Sequence, residues 1–170
     1  MTTQLLLEAN EDLMDFISEC GVRGYKNNDS LDVMNFFKTI RNGGCWFVTY
    51  DNGKIVGVSG IHKFKDGYRA LYRGAQLYSR PGGLSRNHMN CWMFYYHLPM
   101  VIDLVGDSPI YITTNTQNDA SGTMLRLNKL YFILEKNGLV DHQSKEIVFD
   151  VEQNIWKLNK EKYLLARGEE

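Results

Sequence analysis

The chain has 170 residues, 44% of them hydrophobic and 23% charged, with a formal net charge of −1. That composition is ordinary for a folded domain and excludes intrinsic disorder, and the length suits one domain that closes a single core without disulfide staples. A charge so near zero excludes a global attraction to nucleic acid or membrane and leaves only a local basic patch open.

In chain order, QLLLE at 4–8 predicts a short strand. Asn10 then caps a helix with Leu13, Phe16, Ile17 and Cys20 at helical spacing, and Gly21 stops it. The polar KNNDS leads to a second helix, striped by Leu31, Met34, Phe37 and Ile40 and ended by Asn42-Gly43-Gly44. The strongest hairpin signal follows. CWFVTY and KIVGVSGIHKF flank Asp51-Asn52-Gly53, where Asn and Gly tolerate the positive φ of a tight turn. A second turn, Lys65-Asp66-Gly67, opens the long strand YRALYRGAQLYSR. Tyr68, Tyr72 and Tyr78 share one side of it, and Leu71, Ala75 and Leu77 the other. These three strands form an antiparallel meander.

The segment SRPGGLSRNHMN at 79–90 joins the long strand to an apolar stretch, HMNCWMFYYHLPMVIDLVG, that reads as a helix covering a sheet. Pro99 removes a hydrogen bond there, so the stretch is either a bent helix or two pieces with Pro99 opening the second. PIYITTN at 109–115 is a central strand. DASGTMLRLNKLYFILEKNG is a helix with Met124, Leu127, Tyr131 and Leu134 on one face, Leu130 beside them and Asn137-Gly138 at its end. KEIVFDV and NIWKL are two further strands, and the charged tail at 161–170 frays. The fold class is mixed α/β (α+β): one domain over residues 1–170, its core about 4–160, with a central mixed, mostly antiparallel sheet of about seven strands and about four helices.

Cys20, Cys45 and Cys91 are scattered and odd in number, so neither a zinc site nor disulfides are expected. His62, His88, His97 and His142 lack metal-ligand spacing. No signal-like segment and no run of ~20 apolar residues occurs, so a cytoplasmic protein without membrane contact is expected. The oligomeric state is left open, a homodimer included.

WFVTYDNGKIVGVSGIHKF, with Val56-Gly57 after a Gly-Lys turn, resembles the second and third strands of the GNAT superfamily of N-acetyltransferases. The long strand ending at Arg80-Pro81 resembles its fourth and IYITTN its fifth. LEKNGL at 134–139 resembles the YEKLGF that ends the family's fourth helix, and the likeness runs from residue 4 to about 160. It implies a GNAT-like fold, acetyl-CoA as the acyl donor and an amine as acceptor. The loop departs from the family's Arg/Gln-x-x-Gly-x-Gly/Ala. Gly82 and Gly83 come early, and Arg86-Asn87-His88 stand where the later glycine falls.

That loop still has the chemistry of an anion site. A helix N-terminus offers unpaired N–H groups and the positive end of the helix dipole, and glycines let the backbone approach a ligand closely. Ser85, Arg86, Asn87 and His88 can all donate to phosphate oxygens. No acidic residue stands between Asp66 and Asp103, whereas Arg69, Arg73, Arg80, Arg86, His88 and His97 do. The plain alternative is a surface turn before a buried helix, and the resemblance tips the balance to the pyrophosphate of coenzyme A. It implies cofactor contacts from Leu77, Ser79, Gly82, Gly83, Ser85, Arg86, Asn87 and His88, with the two glycines shaping the entrance. Asn115 and Asn118 either meet the pantetheine arm or cap the next helix, with capping assigned to Asn118.

Acetyl transfer needs a neutral amine, a thioester carbonyl held in line and a proton for the departing thiolate. Family members often place a Glu on the fourth strand as base and a Tyr on the fourth helix as acid. The long strand here has no carboxylate, so proton removal falls to water, His62, Tyr72 or equilibrium with solvent. Leu134 stands in the tyrosine's place, so the resemblance makes Tyr131, on a neighbouring part of the same helix face, the candidate acid. Its plain alternative is core packing. Two functions stay open. One is an acetyl-CoA-dependent N-acetyltransferase acting on a small amine, a peptide N-terminus or a lysine. The other is a GNAT-like module without chemistry that binds a protein through a basic patch; nucleic acid is disfavoured, since no basic tail or RNP-like motif is present.

Overall fold

Asn52 and Gly53 both hold positive φ, 52° and 76°, the backbone signature of a two-residue type I′ turn. They join β2 (Cys45–Asp51) to β3 (Lys54–Phe64), with Asp51 opposite Lys54. The computed structural model describes residues 2–6, 11–13, 15, 43–75, 97–116, 123–148 and 151–167. Its other strands are β1 (Thr2–Leu6), β4 (Gly67–Ala75), β5 (Ile110–Asn115), β6 (Val140–Val148) and β7 (Val151–Leu158). Its helices are α1 (Leu98–Val105), α2 (Thr123–Lys136) and α3 (Lys160–Arg167). Of the two helices expected before β2, residues 11–13 and 15 are helical, and the remainder lies outside the described residues.

The strands hydrogen-bond in the order β1-β2-β3-β4-β5-β7-β6. The β1–β2, β2–β3, β5–β7 and β6–β7 pairs are antiparallel. β4 and β5 pair in parallel through Tyr68↔Ile110 and Arg69↔Tyr111. The fold is therefore mixed α/β on a mostly antiparallel sheet, and α1 falls in the β4–β5 connection, where parallel strands need a crossover. No helix among the described residues is long and apolar enough to cross a membrane.

The chain divides into two compact units, residues 1–63 with 70–104 and residues 64–69 with 105–170. In the first, β2 is buried from Cys45 through Thr49, too continuously for a strand with one wet face. Leu13, Ile55, Val58, Ile61, Ala70, Leu98 and Val101 are also buried there among the described residues. Pro99 is the second residue of α1, which directly follows the π-helical His97. Burial pushes the Cys45 thiol up to about 11, so it packs as a small apolar group.

In the second unit β5 runs beside β7 from Tyr111↔Lys157 to Asn115↔Gln153. Ile110, Ile112, Ile155 and Trp156 are buried there. α2 ends where Asn137-Gly138 foretells: Gly138 has φ 76°, its N–H donates to Glu135 O, and Leu139 N–H donates to Leu134 O. That pair of bonds is the Schellman arrangement.

Besides β7, which begins at Val151 rather than Asn154, two elements differ from expectation. β6 begins at Val140, five residues before the expected Lys145, and absorbs the polar DHQS. The charged end, expected to fray from 161, is instead α3. Asn159 caps it by accepting the Lys162 N–H, Tyr163 is buried, and Lys160 Nζ donates to the carbonyls of Gly106 and Ser108.

Candidate functional site

Leu77, Ser79, Gly82, Gly83, Ser85, Arg86, Asn87 and His88, and the side chain of Tyr72, lie outside the described residues. Asn115 and Tyr131 lie within them, on β5 and α2 of the second unit. Between those two elements and β7 runs a chain of buried polar groups.

The chain starts at Trp156, whose indole N–H can only donate. It donates to Thr114 Oγ1 at 2.9 Å, and Thr114 in turn donates to Asn128 Oδ1 at 2.6 Å. Asn128 Nδ2 donates to the backbone carbonyl of Asn115 at 2.8 Å. Asn154 Nδ2 donates to the same Asn128 Oδ1 at 2.8 Å, and Asn154 Oδ1 lies 2.9 Å from His142 Nε2. Thr114, Asn154 and Trp156 are buried, and Asn128 and His142 half-buried. Low-dielectric surroundings strengthen each bond and make any broken one costly.

Aromatic rings enclose the chain. Tyr131 stacks on Trp156 with centroids 5.5 Å apart, and Phe132 meets the same indole edge-on at 5.0 Å. His142 packs edge-on against Trp156 at 4.8 Å. Tyr131 is only 1% exposed, and burial holds its hydroxyl well above the ordinary phenol range. The structure thus places the candidate acid in a packed stack.

In the first unit His97 sits between two hydroxyls: Nδ1 bonds Ser59 Oγ, and Nε2 lies 2.7 Å from Thr49 Oγ1. Burial lowers its pKa to about 4, so the ring is neutral at pH 7. It therefore adds nothing to the positive potential that the acid-free window suggested. Arg69, in the second unit, donates from Nε to Thr113 Oγ1 at 2.7 Å. His62 is buried, with Nδ1 donating to the Lys63 carbonyl at 2.8 Å, an unpromising place for a base that must meet substrate. No cluster of three or more His, Cys, Asp or Glu side chains able to hold a metal ion occurs among the described residues.

Thr114, Asn128, His142, Asn154 and Trp156 were not singled out by the sequence as a group. One signal was available: Asn128 is an amide three residues before Tyr131 on an apolar helix face, where an amide is tolerated only with partners.

No protein-family model matches the chain, and no curated protein matches it in sequence. Solved structures do match it in fold. An acyl-CoA N-acyltransferase from Pseudomonas aeruginosa superposes with a TM-score of 0.62 at 10% identity, over 92% of this chain and 98% of its own. A protein assigned to the GNAT acetyltransferase family from Desulfovibrio desulfuricans gives 0.57 at 8% identity, over 92% and 97%. An aminoglycoside 6'-N-acetyltransferase complexed with coenzyme A gives 0.56 at 14% identity, over 92% and 95%. The chain has the GNAT fold.

Proposed function

We propose that the chain is an N-acyltransferase that moves an acetyl group from acetyl-CoA to a primary amine, in the cytoplasm. The observation that carries this reading is the extent of the fold likeness, more than nine-tenths of this chain and of acyl-CoA-dependent N-acyltransferases. Since a fold does not fix an activity, the loop chemistry supplies the second support: glycines and four phosphate donors in a window without acids. Among the possible acceptors a small-molecule amine is favoured, because an aminoglycoside acetyltransferase shares the fold. Coenzyme A would be held by residues 77–88 and Asn115.

Thermal melts with acetyl-CoA test the reading. At one hundred times the dissociation constant a ligand adds about 2.7 kcal/mol of stability, several degrees in a chain of this size. Gly83→Asp should abolish the shift by setting a carboxylate beside the phosphates, while the unliganded melt stays put. No shift at millimolar acetyl-CoA would reject the enzyme.

Two observations favour a second reading, a binding module without chemistry: the long strand lacks a carboxylate and Tyr131 is buried in its stack. Tyr131→Phe addresses the second. If the phenol protonates the leaving thiolate, turnover should fall by about tenfold or more with the acetyl-CoA shift unchanged. An unchanged rate would leave Tyr131 as packing for Trp156.

A further inference from the structure

Three of the six large hydrophobic side chains that the described residues expose stand on α2: Leu125, Phe132 and Ile133, at 49%, 46% and 55%. The others, Leu104, Ile147 and Leu165, are on three separate elements. At about 100° per residue, positions 125, 129, 132, 133 and 136 fall within about 100° of the helix surface. Lys129 and Lys136, both exposed, therefore alternate with the apolar groups along one stripe. Asn128, in the polar chain, and buried Tyr131 mark the inward side of α2. Phe132 leans on Trp156 and stacks on His142 with centroids 6.2 Å apart, so its ring is held in place without being covered.

The sheet edge extends this surface. Asn154 reaches Asn128 of α2, so it faces the helix. Its register partner Lys145 stands on the same face, and so does Ile147, two residues on and opposite Glu152. Lys145 is exposed, Ile147 is 69% exposed, and β6 is the last strand of the sheet among the described residues. Lys129, Lys136 and Lys145 enter no ion pair among the described residues. The acids of these elements on that face are engaged: Glu135 Oε2 accepts the His142 backbone N–H at 2.6 Å, and Glu152 Oε1 accepts the Thr116 hydroxyl at 2.8 Å. The face thus sets apolar groups among lysines.

We propose that this face docks an acidic amphipathic helix of another protein. Exposed hydrophobic groups scattered singly are ordinary, whereas a stripe of them on one helix, rimmed by like charges, has the form of half an interface. Helical anchors recur every three to four residues, and positions 125, 129, 132 and 136 keep that spacing for a partner helix lying along α2. Its apolar side covers Leu125, Phe132 and Ile133, and its carboxylates meet Lys129, Lys136 and Lys145. A second copy fits worse. A two-fold axis through the stripe brings lysine against lysine, and α2 carries one acid, Glu135, already committed to β6. Nucleic acid would use the lysines and leave the three hydrophobic groups in water. The surface lies wholly in the second unit and does not rest on the acyltransferase reading.

The test uses the whole chain and a pair of fluorescein-labelled, alanine-rich helical peptides. Both carry leucines at three- and four-residue spacing; one flanks them with glutamates and its twin with lysines. The glutamate peptide should bind with micromolar affinity, and the lysine peptide about tenfold more weakly or worse. Leu125→Ser combined with Ile133→Ser should weaken the glutamate peptide by about tenfold or more while the melting temperature does not move. Lys129→Glu combined with Lys136→Glu should reverse the preference, making the lysine peptide the tighter binder. Should that double variant fail to fold, Lys129→Gln combined with Lys136→Gln should bind the two peptides equally. Equal binding of both peptides by the wild type, or no binding at millimolar peptide, overturns the proposal. A wild-type dimer, seen by sedimentation and dissolved by Leu125→Ser with Ile133→Ser, assigns the face to a second copy. Flotation with phosphatidylserine vesicles that the same variant abolishes assigns it to a membrane, and either result also overturns the proposal.

Discussion

Replacing Gly67 with alanine is expected to destabilise the chain by about 3 kcal/mol, the upper range for forcing an extra carbon into a packed site. A Cβ there would stand 2.1 Å from the carbonyl oxygen of Pro109 and 2.9 Å from its carbonyl carbon. Both are backbone atoms, so no rotamer change relieves the contact. The same oxygen accepts the Tyr68 N–H at 2.9 Å, one residue along. Relief must therefore disturb the start of the parallel pairing, Tyr68↔Ile110. Gly53 is the control. Its φ is +76°, yet a Cβ there meets nothing within 4 Å, so Gly53→Ala pays only the left-handed backbone penalty of about 1 kcal/mol. Urea unfolding of the two variants side by side separates space from conformation. Equal losses would mean that the Pro109 carbonyl yields easily.

The Gly67 contact also marks where sequence reading stops. As part of Lys65-Asp66-Gly67 the residue looks like turn chemistry, but Lys65 takes the positive φ, 49°, and Gly67 is already the first residue of β4. What demands a glycine is a carbonyl 42 positions downstream, which no local pattern records. Asp51-Asn52-Gly53 and Asn137-Gly138 were legible because their requirement is local: a positive φ between two elements. The closing helix was obscured by its charge, although Asn159 carried an N-cap signal. The polar chain was hidden for the same reason as Gly67. Thr114, Asn128, His142 and Asn154 are spread along three strands and a helix, and only the β5–β7–β6 pairing brings them together. Singly they read as a strand threonine, a helix amide, a histidine without ligand spacing and a strand amide. The aromatic Trp156 was legible as core, but its role as the fixed donor at the head of that chain was not.

Acid should destabilise the protein well above the pH at which carboxylates titrate, and His97 is the cause. Unfolded, its imidazole titrates near 6.5; folded, burial lowers this to about 4. The unfolded chain therefore binds the extra proton first as pH falls. The stabilisation is complete above 6.5, is lost progressively down to about 4, and changes no further below that. A depression of this size corresponds to about 3 kcal/mol, most of it lost above pH 4.5. Carboxylates act in a lower window. Asp66, held down first by the Tyr111 hydroxyl, and Glu146, held down first by Ser144, stabilise the fold above their unfolded values and lose that effect only as pH drops through their lowered ones. Chemical denaturation at intervals from pH 7.5 to 4.5 should show the wild-type slope. His97→Gln, whose amide can still meet Ser59 and Thr49, should be less stable at pH 7.5 yet lose much less on acidification. Parallel slopes in the two proteins would mean that the folded ring already accepts a proton near pH 6, which a histidine sealed between two hydroxyls and stacked beside Phe47 has no water to support.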